Sequence, residues 1–127
     1  MFTHTVLYAS PSPDHVEKRG PITKVEALDL LRTFPFEREV RKHEGNRDLT
    51  VPTLTFVDEA DGSEFALWSS DPGRYLIWVP ALFALADNIK ERGEILECLA
   101  LFFDGDLEEL EERVGELRQK YSPEPDR

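Results

Sequence analysis

The sequence predicts a single α+β domain: an antiparallel sheet of three to five strands, built on a meander over residues 53–79, packed by two or three helices at about 23–34, 81–92 and 106–121. Three observations carry that expectation. The stretch 53–79 is apolar in short blocks separated by Asp61-Gly62 and by Asp71-Pro72-Gly73, dipeptides and tripeptides suited to tight turns. Two segments open with helix-capping chemistry, Thr23 with Glu26 and Asp106 with Glu109. A chain of 127 residues with 40% hydrophobic residues can bury one core.

Residues 5–9 form a short apolar run with the character of a first strand. Prolines, polar residues and charges follow over 10–20 and mark a loop. Thr23 starts a helix whose apolar residues Val25, Ala27, Leu28, Leu30, Leu31 and Phe34 recur at helical spacing until Pro35. Residues 36–50 are highly charged with weak periodicity, and both a short helix and an extended arm stay open there. The mixed cluster of Arg38, Arg41, Lys42 and Arg47 with Glu37, Glu39 and Glu44 reads as a solvated face.

Leu54 and Phe56 alternate with Thr55 and Val57 in a first meander strand, and 63–70 supplies the second. The third, 74–79, is apolar on both faces, which suggests cover on both sides or the border of a pocket. Pro80, the spacing of Leu82, Leu85, Ala86 and Ile89, and Gly93 predict a helix over 81–92. Residues 94–103 are ambiguous, and Phe102-Phe103 before Asp104-Gly105 tips them toward strand. The last helix has a narrow stripe of Leu107, Leu110, Val114, Leu117 and Tyr121, with Gly115 as a weak point. Residues 123–127 are expected to be a flexible tail after a domain of 1–122.

Charge is distributed unevenly. Residues 1–50 hold eight Lys/Arg and eight Asp/Glu, whereas 51–127 hold seven against eighteen, so the second half carries the whole net charge of -11. Between residues 104 and 116, seven acids face one base, Arg113. Such a field repels nucleic acid and anionic membranes and steers basic partners inward. No segment has the makeup of a signal peptide or a membrane span, so the expectation is a cytoplasmic protein.

No cofactor motif or catalytic constellation is evident, and no cofactor is expected. His4, His15 and His43 fit no zinc-binding spacing, and Ser69-Ser70-Asp71 lacks a nucleophile-elbow context. The lone Cys98, among Leu96, Leu99, Ala100 and Leu101, reads as a small buried hydrophobe. Asp58, Glu59 and Asp61 form an acidic hairpin turn without the residue order of a calcium loop. Glu108, Glu109, Glu111, Glu112 and Glu116 crowd the outer face of the last helix, too well solvated for acid–base catalysis but suited to docking. Trp68 and Trp78 stand on neighbouring strands. Core packing is the favoured role for them, and with Tyr75 they are the candidate walls of an apolar pocket, with His43 or Ser70 as a polar handle.

The capped helix followed by PTLTFVDEADGSEFALW is loosely similar in layout to some bacterial immunity proteins, over less than half of the chain. The function expected is non-catalytic binding of a basic protein through the acidic surface, with inhibition as one form. The alternatives are a ligand-binding domain or enzyme using the aromatic pocket, or a subunit of a larger assembly, and self-association stays open.

Overall fold

A computed structural model describes residues 1–121; the expected tail lies outside the described residues. Its centre is one antiparallel sheet of β1 (Phe2–Leu7), β2 (Glu17–Pro21), β3 (Thr53–Asp58), β4 (Ser63–Asp71), β5 (Arg74–Val79) and β6 (Ala84–Ile89). The spatial order is β2-β1-β3-β4-β5-β6. The meander expected over 53–79 is β3, β4 and β5, paired in register as Phe56 opposite Phe65 and Leu67 opposite Ile77. Six strands replace the expected three to five, because β1 gains a partner in β2 from the expected loop, and β6 extends the other side.

The helices of the described residues are α1 (Lys24–Thr33), α2 (Phe36–Gly45), α3 (Arg92–Asp104) and α4 (Leu107–Tyr121). Thr23 caps α1 as expected: its hydroxyl accepts from the Glu26 N–H at 3.2 Å while Glu26 accepts from the Thr23 N–H at 2.9 Å. Asp106 opens α4 by accepting from the Glu109 N–H at 3.3 Å. Gly105 ends α3 at φ 74, a left-handed turn that only glycine adopts cheaply.

The helix expected at 81–92 does not form. Pro80 begins a single 3-10 turn, Phe83 takes φ 49, and the chain re-emerges as β6. Ala84 and Ala86 face inward while Leu85 faces out, a period of two that the alanines concealed. Gly93 is then inside the first turn of α3 instead of ending a helix. Residues 94–103, read toward strand, are the body of α3: Ile95, Cys98, Leu99 and Phe102 are buried at spacings of three, four and seven. Half-buried Leu96, Leu101 and Phe103 widened that stripe enough to hide its period.

The buried side chains form one cluster between the sheet and the helices. Phe102 stands edge-on to Phe2 and tilted against Phe65, and Phe36 meets Tyr75 edge-on, so α2 and α3 both reach the same sheet face. Helix α4 packs on β6 and α3. The opposite sheet face is lined by the alternate residues, and no helix among the described residues packs there. Val25, placed in the apolar stripe of α1 by spacing, is exposed.

Candidate functional site

The outer side of α4 follows from its inner one. Leu110, Val114 and Leu117 are buried, which turns Glu108, Glu109, Glu111, Glu112 and Glu116 to solvent. Two nearby cations, Arg113 and Lys120, are directed elsewhere, while Arg118 borders a groove beside Glu111. Arg113 lies 3.1 Å from Glu97 and 3.9 Å from Glu94, and Lys120 lies 2.8 Å from Glu94, contacts that knit α4 to α3, while Arg113 also lies 3.4 Å from Glu116 on its own helix. Glu94 is mostly buried in this seam. Burial pushes its carboxyl up, but Lys120, Tyr121 and Arg113 more than offset this and hold it below the usual range. Glu116 is thus engaged, while Glu108, Glu109, Glu111 and Glu112 have no ion pair among the described residues.

The acidic turn is different in kind. Asp58 accepts from the Ala60 N–H at 3.0 Å and Asp61 from the Ser63 N–H at 2.9 Å, an arrangement that shapes the turn. The Ser63 N–H and hydroxyl draw the Asp61 pKa down. Glu59 accepts from the Thr3 hydroxyl at 2.5 Å. Each of these carboxylates thus commits one oxygen to the turn or, for Glu59, to the neighbouring strand β1, and the turn joins two inner strands whereas α4 lies over the edge strand β6.

Beside α4 runs an open groove of about 150 Å³, lined by Leu82, Phe83, Leu85, Glu111, Gly115 and Arg118 among others. Phe83 is 87% exposed and sits at φ 49, a conformation disfavoured for a bulky residue. An aromatic ring bared to water on a strained backbone is a feature that sequence spacing did not single out, and it points to use of the surface.

The three aromatic pocket candidates are divided by the sheet. Trp68 and Trp78 share the face away from the core and are half-buried, which corrects the expectation that they pack inside. The strand alternation explains it: Phe65, Leu67, Tyr75 and Ile77 take the inner positions. Tyr75 is buried with its hydroxyl 3.1 Å from Arg92 Nε. An open cleft of about 180 Å³ at the β4–β5 turn is lined by Trp68, Ser70, Asp71, Arg74, Tyr75 and Leu76 among others, but Trp78 is not part of it. That is below the several hundred Å³ typical of small-molecule sites. His43 lies elsewhere on α2, its Nδ1 2.8 Å from the Leu49 carbonyl and its Nε2 3.4 Å from Arg47. The Ser69 hydroxyl bridges the turn, 2.9 Å from the Asp71 carbonyl and 2.6 Å from that of Arg74.

Two engaged residues escaped the sequence reading. Glu39, taken for part of a solvated face, has a side chain 1% exposed and accepts from Ala9 N–H at 3.1 Å, Arg38 at 3.1 Å and Lys42 at 2.9 Å. Arg92, assigned to a helix end, donates to the carbonyls of Leu31, Arg32 and Phe34 and lies over Phe36 and Tyr75. Cys98 is buried, and burial pushes its thiol up to about 12, far from nucleophilic range. Among the described residues no group of three or more His, Cys, Asp and Glu is placed to hold a metal ion, and no helix is long and apolar enough to cross a membrane.

Comparison with known proteins finds no match to a protein family, to a curated protein or to a solved structure.

Proposed function

We propose that this chain is a non-catalytic binding module that docks a basic protein on the outer face of α4, with neutralisation of a cationic enzyme as one form of that role. The observation that carries the reading is the coincidence of two unsatisfied features on one surface. Glu108, Glu109, Glu111 and Glu112 lack cation partners among the described residues, and Glu111 shares a groove with the bare ring of Phe83. A row of carboxylates steers a cationic partner and fixes its register, while an exposed aromatic beside it supplies the apolar contact that holds the complex.

The test captures partners from the source lysate in low salt and in about 0.5 M salt, where screening reaches only a few Å. The wild type is compared with Phe83→Ala and with a variant carrying Gln at 108, 109, 111 and 112. Retention of a protein of high isoelectric point, weakened at least tenfold by each variant and by salt, is the expected outcome. A partner held equally by all three proteins, or one that is acidic, would refute the reading.

A further inference from the structure

Strand β6 ends the sheet, and among the described residues no strand pairs with its outer side. Alternate residues of such a strand turn N–H and C=O away from their one neighbour, so β6 presents half of an unfilled ladder. Ala84 and Ala86 face inward, where α4 packs, while Leu85 faces the other way. The groove lined by Leu82, Phe83 and Leu85 together with Glu111, Gly115 and Arg118 therefore runs round this edge and does not lie over one face. Its α4 wall is one stripe, since 111, 115 and 118 stand at helical spacing. From 111 to 118 the helix rises about 10 Å, the length of about three residues of strand. The wall thus matches residues 84–86 of β6.

We propose that an extended segment of a basic protein adds to β6 as a further strand, held between the edge and α4. This rests on the docking reading above and names the shape of what docks. Gly115 is exposed in mid-helix, where glycine is less stable than alanine, and a Cβ there would meet no atom within 4 Å. No contact within the described residues requires its missing side chain. The gap it leaves between Glu111 and Arg118 lets an added backbone approach α4, with one of its side chains seated in the gap. Leu82, Phe83 and Leu85 supply the apolar side of the same channel. Backbone pairing with β6 gives the affinity, and the alternate side chains give the specificity.

Charge selects the occupant. Glu111 borders the channel, and Glu108 and Glu112 flank it on α4. A lysine or arginine on the added strand meets these carboxylates, whereas the Arg118 end takes a neutral or acidic residue. A second copy suits the edge less well. Antiparallel pairing of β6 with itself about a two-fold axis sets both α4 helices on one side of a continuous sheet, so their glutamate rows approach each other. Strand β6, Ala-Leu-Ala-Asp-Asn-Ile, brings no cation to relieve them.

The test titrates the isotope-labelled full chain with an acetylated, amidated heptapeptide, Ser-Val-Lys-Val-Lys-Val-Ser, followed by NMR. Amide shifts are expected to change at 83–87 and along the groove side of α4, with hydrogen exchange slowed at alternate residues of β6 and a Kd below about 1 mM. Gly115→Leu, with native circular dichroism, weakens binding at least tenfold. So does N-methylation of two successive central residues of the peptide, which blocks both of its edges. Glu111→Gln weakens it about threefold. A peptide that binds while the β6 amides stay unmoved, or that is indifferent to N-methylation, overturns strand addition and leaves the docking reading standing. Equal binding of the counterpart with glutamate in place of lysine defeats both. No binding at about 2 mM peptide, or β6 shifts that follow protein concentration without peptide, overturns the proposal as well.

Discussion

Glu39 is a carboxylate removed from water, and its environment decides what it does to stability. Burial alone pushes its pKa up, but the pairs with Lys42 and Arg38 and the Ala9 N–H outweigh burial and leave it below the ordinary value. A depressed folded-state pKa contributes stability above the unfolded value of about 4.3, and that contribution disappears as pH falls through the folded value. Glu39→Ala is therefore expected to lower unfolding free energy by about 2 kcal/mol at neutral pH, chiefly by orphaning the Ala9 N–H and freeing two cations. Urea titrations at a series of pH values should show the gap between variant and wild type closing toward pH ~3. A gap that widens in acid would mean the carboxyl is buried as its neutral form.

Among the elements, α1, α3 and β5 meet at one side chain. Arg92 occupies the first turn of α3, where the helix dipole disfavours a cation, yet it points back to the final carbonyls of α1 and to Tyr75. Its planar fork reaches carbonyls at 3.0, 3.1 and 3.2 Å, a geometry that a lysine ammonium cannot reproduce. Arg92→Lys should consequently lose most of what Arg92→Ala loses, about 2 kcal/mol, in thermal or denaturant unfolding. Full rescue by lysine would reduce the role to charge alone. The caps and the meander were legible in the sequence because Thr23, Asp106 and the Gly-containing turns act locally. Helix α2 was not, for a different reason. Its buried positions, 36, 39, 40 and 43, have perfect helical spacing, but two are Glu39 and His43, whose burial depends on partners far along or outside the helix. The same holds for the site: the acidic row of α4 was readable from spacing, whereas the exposure of Phe83 follows from a backbone turn that no spacing encodes.

At the scale of the whole molecule, repulsion and pairing compete. The α4 pairs Glu108/Glu112 and Glu112/Glu116 place like charges one turn apart, relieved on α4 itself by Arg113 at Glu116, while the other ion pairs of Arg113 and Lys120 serve the seam with α3. With a net charge of -11, screening removes more repulsion than attraction. Raising salt to about 0.5 M is expected to raise the unfolding temperature by about 2–4 °C, and less in the variant with Gln at 108, 109, 111 and 112. A fall in unfolding temperature would show that the α3–α4 ion pairs dominate.

The outer strand β2 has a further consequence. Glu17, Lys18 and Arg19 stand exposed along it, Pro21 offers no N–H, and the pairing with β1 is broken by a bulge at His4/Thr5. Filament growth by strand addition requires an adhesive rim on both flanks of the monomer, so that each arrival presents a fresh one. Here one flank is blunted. Strand-mediated association through β6 is therefore biased toward a closed pair, and growth into a fibre that leaves the sheet intact is disfavoured.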